Sequence, residues 1–495
     1  MNLSTARSEK RAREVGIRKA VGSLRGQLVR QFLGESILLT TLAMVLAILL
    51  ASASLPLFSQ LAGKAVVLPW SPVFVGMLVG FTLFVGLLAG SYPAIYLSSF
   101  SAVKVLKGSL NAGRMAVVPR KVLIVVQFVV SIALIFGTIV VFQQIVYLKN
   151  RPTGYNRDGL LTIDIHTEDL QKHYDPLREE LLRTGTVAEV TRTSGTITAG
   201  PWQQSGFAWQ GKDPNVTPLF EVTFLTPEFG KTIGWQLAQG RDFSREFLTD
   251  SSAMILNEAA ARYMGFKQPV GSTVNYLYSS RKDNRYRVIG VIHDMVTYSP
   301  TEQVKPAIYM LSLGGDANAI LVKVNPKMSA AAALPKITDV FRNINPGSPF
   351  DYKFISDEYA KKFDTEERVL YLASFFTAFA IFISCLGLFG LASFMAEQRR
   401  REIGVRKVLG ASVLQLWGLL SKEFLALVGI AFLIALPLGW FGMNSWLQGY
   451  DYRTRISVWT FFIVLVGALA ITIATVSYQS IRASLINPAK SLRSE

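Results

Sequence analysis

The sequence predicts an α-helical polytopic membrane protein of six spans with an α+β domain inserted between them. Three observations predict it: long uncharged apolar stretches, a charge distribution that alternates with them, and a basic motif that occurs twice. Half of the 495 residues are hydrophobic. They gather between Arg30 and Lys64 (broken only by Glu35), Lys64 and Lys104, Lys121 and Lys149, Arg368 and Glu397, Glu423 and Asp451, and Arg455 and Arg482. About 20 apolar residues cross the hydrocarbon core as a helix. The predicted spans lie near 34–57, 73–98, 121–147, 369–393, 419–444 and 457–481.

The formal charge of +17 has a sidedness. Residues 149–366 balance 25 basic against 25 acidic side chains. Segments 1–30, 98–121, 396–422 and 479–495 carry 22 Lys or Arg, against seven acids when Glu35 and Glu423 are included. Positive charge near span ends faces the cytoplasm. Six crossings then put both termini, 98–121 and 396–422 inside. They put 58–72, 149–366 and 445–456 outside. The basic charge tracks the membrane faces, which argues against a nucleic-acid partner despite the basic balance. Membrane lipid is the implied neighbour. The single cysteine, Cys385, lies in a predicted span, so the outer domain is held by its core alone.

The first element is the motif Glu14-Val15-Gly16-Ile17-Arg18-Lys19-Ala20-Val21-Gly22. Residues 402–410 repeat it as Glu402-Ile403-Gly404-Val405-Arg406-Lys407-Val408-Leu409-Gly410, at an offset of 388. The same offset pairs Glu9 with Glu397, Arg11 with Arg399, Arg13 with Arg401 and Glu35 with Glu423. Ile17, Ala20, Val21, Leu24 and Leu28 fall at helical spacing, as do Val405, Val408, Leu409, Ser412 and Leu416. Each copy reads as an amphipathic surface helix, 9–25 and 397–413, entering a span. Such a helix rests on anionic lipid or docks into a cytoplasmic partner. Anchoring needs only charge, and the recurrence of Glu-x-Gly-x-Arg-Lys-x-x-Gly favours docking.

Within 149–366, strands are predicted at 160–165, 253–256, 286–292 and 319–324. A helix over 258–264 is expected, capped by Asn257 and stopped at Gly265, with another over 327–343. In the spans, Pro56, Pro93 and Pro437 are candidate kinks. Gly76, Gly80, Gly86 and Gly90 are candidate close-packing positions. Glu35 and Glu423 sit at equivalent span entries. They are either functional or simply accommodated there, by hydration or by pairing with Arg30 or Lys422.

No Gly-x-x-x-x-Gly-Lys-Ser/Thr is present, so no phosphate-cradling loop of that type is carried here. His166, His173 and His293 lack metal-site spacing with Cys or Glu. No nucleophile–base pair stands out. The chain is therefore expected to be no enzyme, with no catalytic residue, metal or cofactor of its own. His293-Asp294 reads as a capping element and Gly240-Arg241-Asp242-Phe243 as a structural turn. The near absence of ionisable residues at mid-span argues against an ion-coupled transporter.

Glu-[Val/Ile]-Gly-[Ile/Val]-Arg-Lys-x-x-Gly, the three spans and the closing Asn487-Pro488-Ala489-Lys490-Ser491-Leu492 resemble the FtsX-type permease domain of MacB-like ABC transporters. The outer domain resembles the MacB periplasmic core. The likeness lies in Thr226-Pro227-Glu228-Phe229, Gly240-Arg241-Asp242-Phe243-Ser244, Ala253-Met254-Ile255-Leu256-Asn257-Glu258 and Val288-Ile289-Gly290-Val291-Ile292-His293-Asp294. The resemblance implies a first permease unit at 1–115, a helix leading out at 116–148, a periplasmic domain at 149–366 and a second unit at 367–495. The whole is similar to the two-unit, eight-span permeases of Bacteroidota. Against that pattern, and against its own second repeat, the first unit is expected to lack its opening span.

The resemblance further implies a cytoplasmic ABC ATPase dimer that binds the ATP and magnesium, with a periplasmic adaptor as another partner. Glu14, Gly16, Arg18, Lys19, Gly22, Glu402, Gly404, Arg406, Lys407 and Gly410 would form the ATPase-coupling helices. The expected function is an export or mechanotransmitting permease. An FtsX-like scaffold that regulates a periplasmic hydrolase is the alternative.

Overall fold

In the computed structural model, each of the six apolar stretches is a helix, and four of them outrun their predicted spans at both ends. The six are α1 (Arg25–Ala62), α2 (Pro72–Ser98) and α3 (Val118–Lys149), and later in the chain Asp364–Gln398, Val413–Leu447 and Val458–Ser484. The structure describes residues 15, 17–19, 21–98, 118–200, 202–279, 283–312 and 317–484. Those four run long because the charged residues flanking them are themselves helix formers. Thirty-five residues make a helix of about 52 Å, well beyond a core of about 30 Å. The outer turns of such a helix therefore lie among the headgroups.

The chain forms two compact units. The first comprises Met1–Gln143, Glu366–Leu447 and Arg455–Glu495. Its main core joins four of the long helices through Ile124, Phe128, Ile132 and Phe136 of α3, Leu388, Phe424, Val428 and Val464. Two hydroxyl pairs lie between its helices, as suits an apolar interior. Ser131 Oγ meets Ser384 Oγ at 2.9 Å, and Thr138 Oγ1 meets Thr377 Oγ1 at 2.8 Å. The α1–α2 pair packs through two of the four predicted glycines. A Cβ on Gly86 would approach Ile37 Cα to 3.1 Å, and one on Gly90 would approach Ser36 Cβ to 2.9 Å. Gly76 and Gly80 have no heavy atom within 4 Å of a Cβ and do not serve this packing.

The second unit comprises Gln144–Thr365 and Gln448–Thr454. It holds a mixed sheet of β1 (Leu160–Asp164), β2 (Val187–Thr193), β3 (Trp202–Gln204), β4 (Phe207–Trp209), β5 (Phe220–Leu225), β6 (Leu237–Gly240), β7 (Ala253–Asn257), β8 (Thr273–Tyr276), β9 (Arg285–Ile292), β10 (Ala307–Leu311), β11 (Ala319–Val324) and β12 (Tyr352–Phe354). The order is β12-β1-β11-β2-β5-β10-β7-β9-β8-β4, with β3 on β5 and β6 on β9. Pairs β5–β10 and β7–β9 are parallel and the rest antiparallel. Around it stand α4 (Glu168–Lys172), α5 (Tyr174–Arg183), α6 (Phe229–Ile233), α7 (Glu258–Tyr263), α8 (Ala330–Ile344) and α9 (Ile355–Lys361). The α5–α8 layer buries Leu177, Leu181, Ile337 and Phe341 against Leu161, Val190, Ile320 and Val322.

All four predicted strands are present. Asn257 caps α7 through Ala260 N at 2.8 Å. The helix expected over 327–343 starts three residues later. Ser329 is its N-cap, because Asn325 already takes Lys327 N into a turn. The segment Gln448–Thr454, expected only as a hairpin loop, is a folded part of this unit. Gln144, fully buried, donates to Tyr452 O at 2.8 Å and accepts from Thr454 N at 2.8 Å. The Arg151 guanidinium lies 3.2 Å from the Tyr452 ring centroid. Asp451 Oδ2 accepts from Gln303 N at 3.0 Å.

Candidate functional site: the repeated motif

The last four helices of the chain are α10 (Asp364–Gln398), α11 (Arg400–Val408), α12 (Val413–Leu447) and α13 (Val458–Ser484). The second copy of the motif is α11, a nine-residue helix. In the first copy Val15 and Ile17–Lys19 are helical. Glu14 and Gly16 lie outside the described residues, as do residues 9–13.

Both copies end in the same way. Gly22 has φ +103° and Gly410 φ +89°, a conformation that costs any side-chain-bearing residue. Gly22 N donates to Lys19 O at 3.1 Å and Ser23 N to Arg18 O at 3.0 Å. Gly410 N donates to Lys407 O at 3.1 Å and Ala411 N to Arg406 O at 2.9 Å. The next helix then starts with one device in both copies. Leu24 N is taken by Gln27 Oε1 at 3.2 Å, and Ser412 N by Gln415 Oε1 at 2.9 Å.

This geometry corrects the predicted amphipathic helices 9–25 and 397–413. A left-handed glycine interrupts each one, so the expected stripe does not lie on one helical face. Ile17, Val21 and Leu24 are exposed, and so are Val405, Val408 and Leu409. The buried anchor of each copy is the residue after the motif glutamate. Val15 packs with Leu28, Phe32 and Ala94, and Ile403 with Leu416. Positions 15 and 28 correspond to 403 and 416 at the repeat offset. Their spacing of 13 crosses a chain reversal, which hid it from a helical period count.

The charged motif residues lie on the outside. Arg406 pairs with Glu402 at 2.8 Å, one turn apart. Arg18 Nη1 donates to Gln31 Oε1 at 2.8 Å. Burial and the nearby Arg25 charge pull the Lys19 pKa down. Gly404 is buried beside Ile403. The exposed surface of the motif is thus a short helix with cations and aliphatics side by side.

Of the acids at the span entries, Glu423 is neutralised by cations other than Lys422, and Glu35 takes a hydrogen bond from a glutamine. Glu423 pairs with Lys121 at 3.4 Å and with Arg399. Glu35 Oε1 accepts from Gln31 Nε2 at 3.1 Å.

In the second unit, Gly240-Arg241-Asp242-Phe243 is the structural turn expected. A Cβ on Gly240 would fall 2.2 Å from Ile289 O. Arg241 forks onto buried Asp250 at 2.6 and 2.8 Å. Asp242 accepts from Trp235 Nε1 at 2.9 Å, and its pKa is raised by burial against that bond. Asp294 caps α7 through Ala259 N at 2.8 Å and pairs with Arg262 at 2.6 Å. Asp164, His166 and Asp351 bring ligand-capable atoms within 4.8 Å of one another. That trio, invisible in sequence spacing, is mostly exposed, and Lys353 Nζ already satisfies Asp164 at 2.8 Å. A cleft of about 590 Å³ lies between Arg241, Asp250, Val270, Arg287 and Ile289. Lys362 Nζ donates to Thr198 O and Thr297 O at 2.7 Å each, and to Tyr298 O, and burial lowers its pKa to about 8.

Two families together cover most of the chain. The FtsX-like permease C-terminal family matches residues 1–102 and again 374–488. The MacB-like periplasmic core domain matches residues 122–340. The chain belongs to the MacB/FtsX-like ABC transporter permeases. It is a multi-pass membrane protein in which a MacB-like periplasmic domain is inserted between long apolar helices.

Among curated relatives, an uncharacterized ABC transporter permease, YknZ of Bacillus subtilis, is 33% identical over 107 residues, 22% of this chain and 26% of that protein. The macrolide export ATP-binding/permease protein MacB of Bdellovibrio bacteriovorus is 32% identical over 107 residues, 22% of this chain and 16% of that protein. MacB of Aggregatibacter actinomycetemcomitans is 23% identical over 212 residues, 40% of this chain and 31% of that protein. The chain thus spans a third or less of the length of each. Among solved structures, the periplasmic region of MacB from Actinobacillus actinomycetemcomitans aligns with TM-score 0.31 and 17% identity, covering 44% of this chain and 97% of that one.

Proposed function

We propose that this chain is the membrane subunit of an ATP-driven ABC transporter, and that both motif copies dock on a cytoplasmic ATPase dimer as coupling helices. One observation carries the reading. Each copy folds as a short helix anchored by one buried aliphatic, Val15 or Ile403, with cations and apolar side chains together on its outer side. A surface of that kind suits a groove that is partly apolar and partly acidic. The chain itself performs no chemistry in this reading. ATP and magnesium belong to the partner, whose motion passes through the spans to the periplasmic domain for export or mechanotransmission. A periplasmic adaptor is a second partner consistent with the MacB-like core.

The test is tagged purification of the membrane protein in mild detergent with its ATPase. Charge reversal at Arg18, Lys19, Arg406 and Lys407 together is expected to abolish stoichiometric recovery of the ATPase while membrane insertion persists. Undiminished recovery from that variant sinks the coupling-helix assignment.

A further inference from the structure

We infer that Glu35 and Glu423 are tethers that fix the orientation of the two motif helices relative to the spans they precede. Helix α1 begins at Arg25 and α12 at Val413, which correspond at the repeat offset of 388. Each acid therefore stands at the same place, ten residues into its helix. Ten residues rise about 15 Å, and both carboxylates stand at the predicted entries of their spans.

An acid there that needed only neutralisation would take the nearest cation. Arg30 and Lys422 are the nearest in sequence, and both are exposed. The carboxylates reach elsewhere. Glu423 grips Arg399, the N-cap residue of α11, and Lys121 in the first turn of α3. It thus joins the ends of three helices, one of them the motif helix. In the first copy the link is a relay. Arg18, inside the motif, donates to Gln31, and Gln31 donates to Glu35.

The partners are not equivalent. Gln31 corresponds to Leu419, so the relay through Gln31 has no counterpart in the second copy, where Arg399 reaches the acid directly. By these two routes both copies connect the same acid to the motif helix. The shared feature is the connection, which is what a positioning residue supplies. Side chains that are only about a third exposed, as Arg399 and Glu423 are, hold a charge-assisted pair more firmly than a fully solvated pair does. A rigid link lets a displaced motif helix pull on the span rather than pivot about Gly410.

The inference deepens the coupling reading and rests on it for its consequence, so the experiment reads geometry first. Cys385 is the one cysteine, so Cys385→Ser gives a background for spin labels at exposed Val405 and Leu433. Distances are measured by pulsed electron resonance on the full chain in lipid nanodiscs. The parent is expected to give a narrow distribution. Glu423→Gln and Arg399→Gln are each expected to lose it, whereas Arg399→Lys, which keeps the charge, and the neighbouring control Lys422→Gln retain it. A distribution unchanged by both Glu423→Gln and Arg399→Gln overturns the tether. The second readout uses the ATPase partner: Glu35→Gln with Glu423→Gln should leave its recovery intact and lower permease-dependent ATP hydrolysis several-fold. A parent chain that recruits no ATPase, while Glu423→Gln and Arg399→Gln still lose the narrow distribution, overturns the coupling reading and leaves the tether standing.

Discussion

Gly22 and Gly410, 388 residues apart, hold the same left-handed backbone and close the same helix turn with matching hydrogen bonds. Nothing lies within 4 Å of a Cβ built on either, so space is not what excludes a side chain. The backbone conformation is. A non-glycine residue there costs about 1–2 kcal/mol. Gly410→Val is therefore expected to disfavour the break and let α11 run on toward α12, with more amide protection over residues 408–412 by hydrogen exchange. Gly410→Asn, which tolerates the left-handed region, should behave nearly as the parent does. Equal protection in Val and Asn variants would count against the glycine stop.

The spans were legible because a bilayer imposes length and charge sidedness that composition alone records. Asn257, Gly265 and the four strands were legible because caps and short β-rich runs are local signals. The motif's own geometry was only half legible. Counting a helical stripe through Gly22 and Gly410 joined two helices into one, although a glycine after a basic turn is itself a stop signal. Val15 and Ile403 were missed as anchors because their partners Leu28 and Leu416 lie beyond the reversal. The partners of Glu423 come from Lys121 and Arg399, far away in sequence. No periodicity could announce them.

The turn Gln448–Thr454 hangs on Gln144. That side chain is fully buried and has both ends of its amide satisfied by Tyr452 O and Thr454 N. Gln144→Ala strands a carbonyl and an amide at once, and an unsatisfied buried group costs about 1–3 kcal/mol. Residues 448–454 should then exchange and be cleaved by protease faster, with the sheet unchanged. Gln144→Glu keeps the acceptor for Thr454 N but sets a buried carboxylate against Tyr452 O, so at neutral pH it should loosen the turn at least as much as Gln144→Ala. An unaffected turn in Gln144→Ala would show that Asp451 and the Arg151–Tyr452 stack suffice.

Glu189 carries a pH dependence of definite sign. Burial pushes its pKa up, but hydrogen bonds from Lys231 at 3.0 Å and Arg178 at 2.6 Å outweigh that and hold it below the ordinary carboxylate range. A folded pKa below the unfolded one contributes stability above the unfolded value of about 4.3 and loses it as pH falls through the folded value. Protection of β2, corrected for intrinsic exchange, is expected to hold from neutral pH to about 5 and decline below about 4. Glu189→Gln should lower protection at neutral pH and flatten that acid limb. An acid limb of unchanged steepness would assign the loss to other carboxylates.

Arg241 and Asp250 form a pair whose two halves are unequally buried, and the inequality fixes an order of costs. The Asp250 side chain is 1% exposed and that of Arg241 40%. Removing the cation in Arg241→Gln leaves a buried carboxylate with only Ser244 N, at 3.0 Å, to stabilise it. A stranded buried charge costs about 3–5 kcal/mol. Removing the anion in Asp250→Asn leaves a guanidinium that still reaches water and still lies over the Phe247 ring at 4.4 Å. The Asn oxygen also still accepts from Ser244 N. Asp250→Asn should therefore cost less than Arg241→Gln. Arg241→Lys, which keeps charge but loses the two-pronged fit, should lie between them. Opening of residues 240–252, followed by hydrogen exchange in urea on the full chain, gives the three values. If Asp250→Asn proves the costlier of the two, the turn depends on the aspartate's own geometry rather than on its charge.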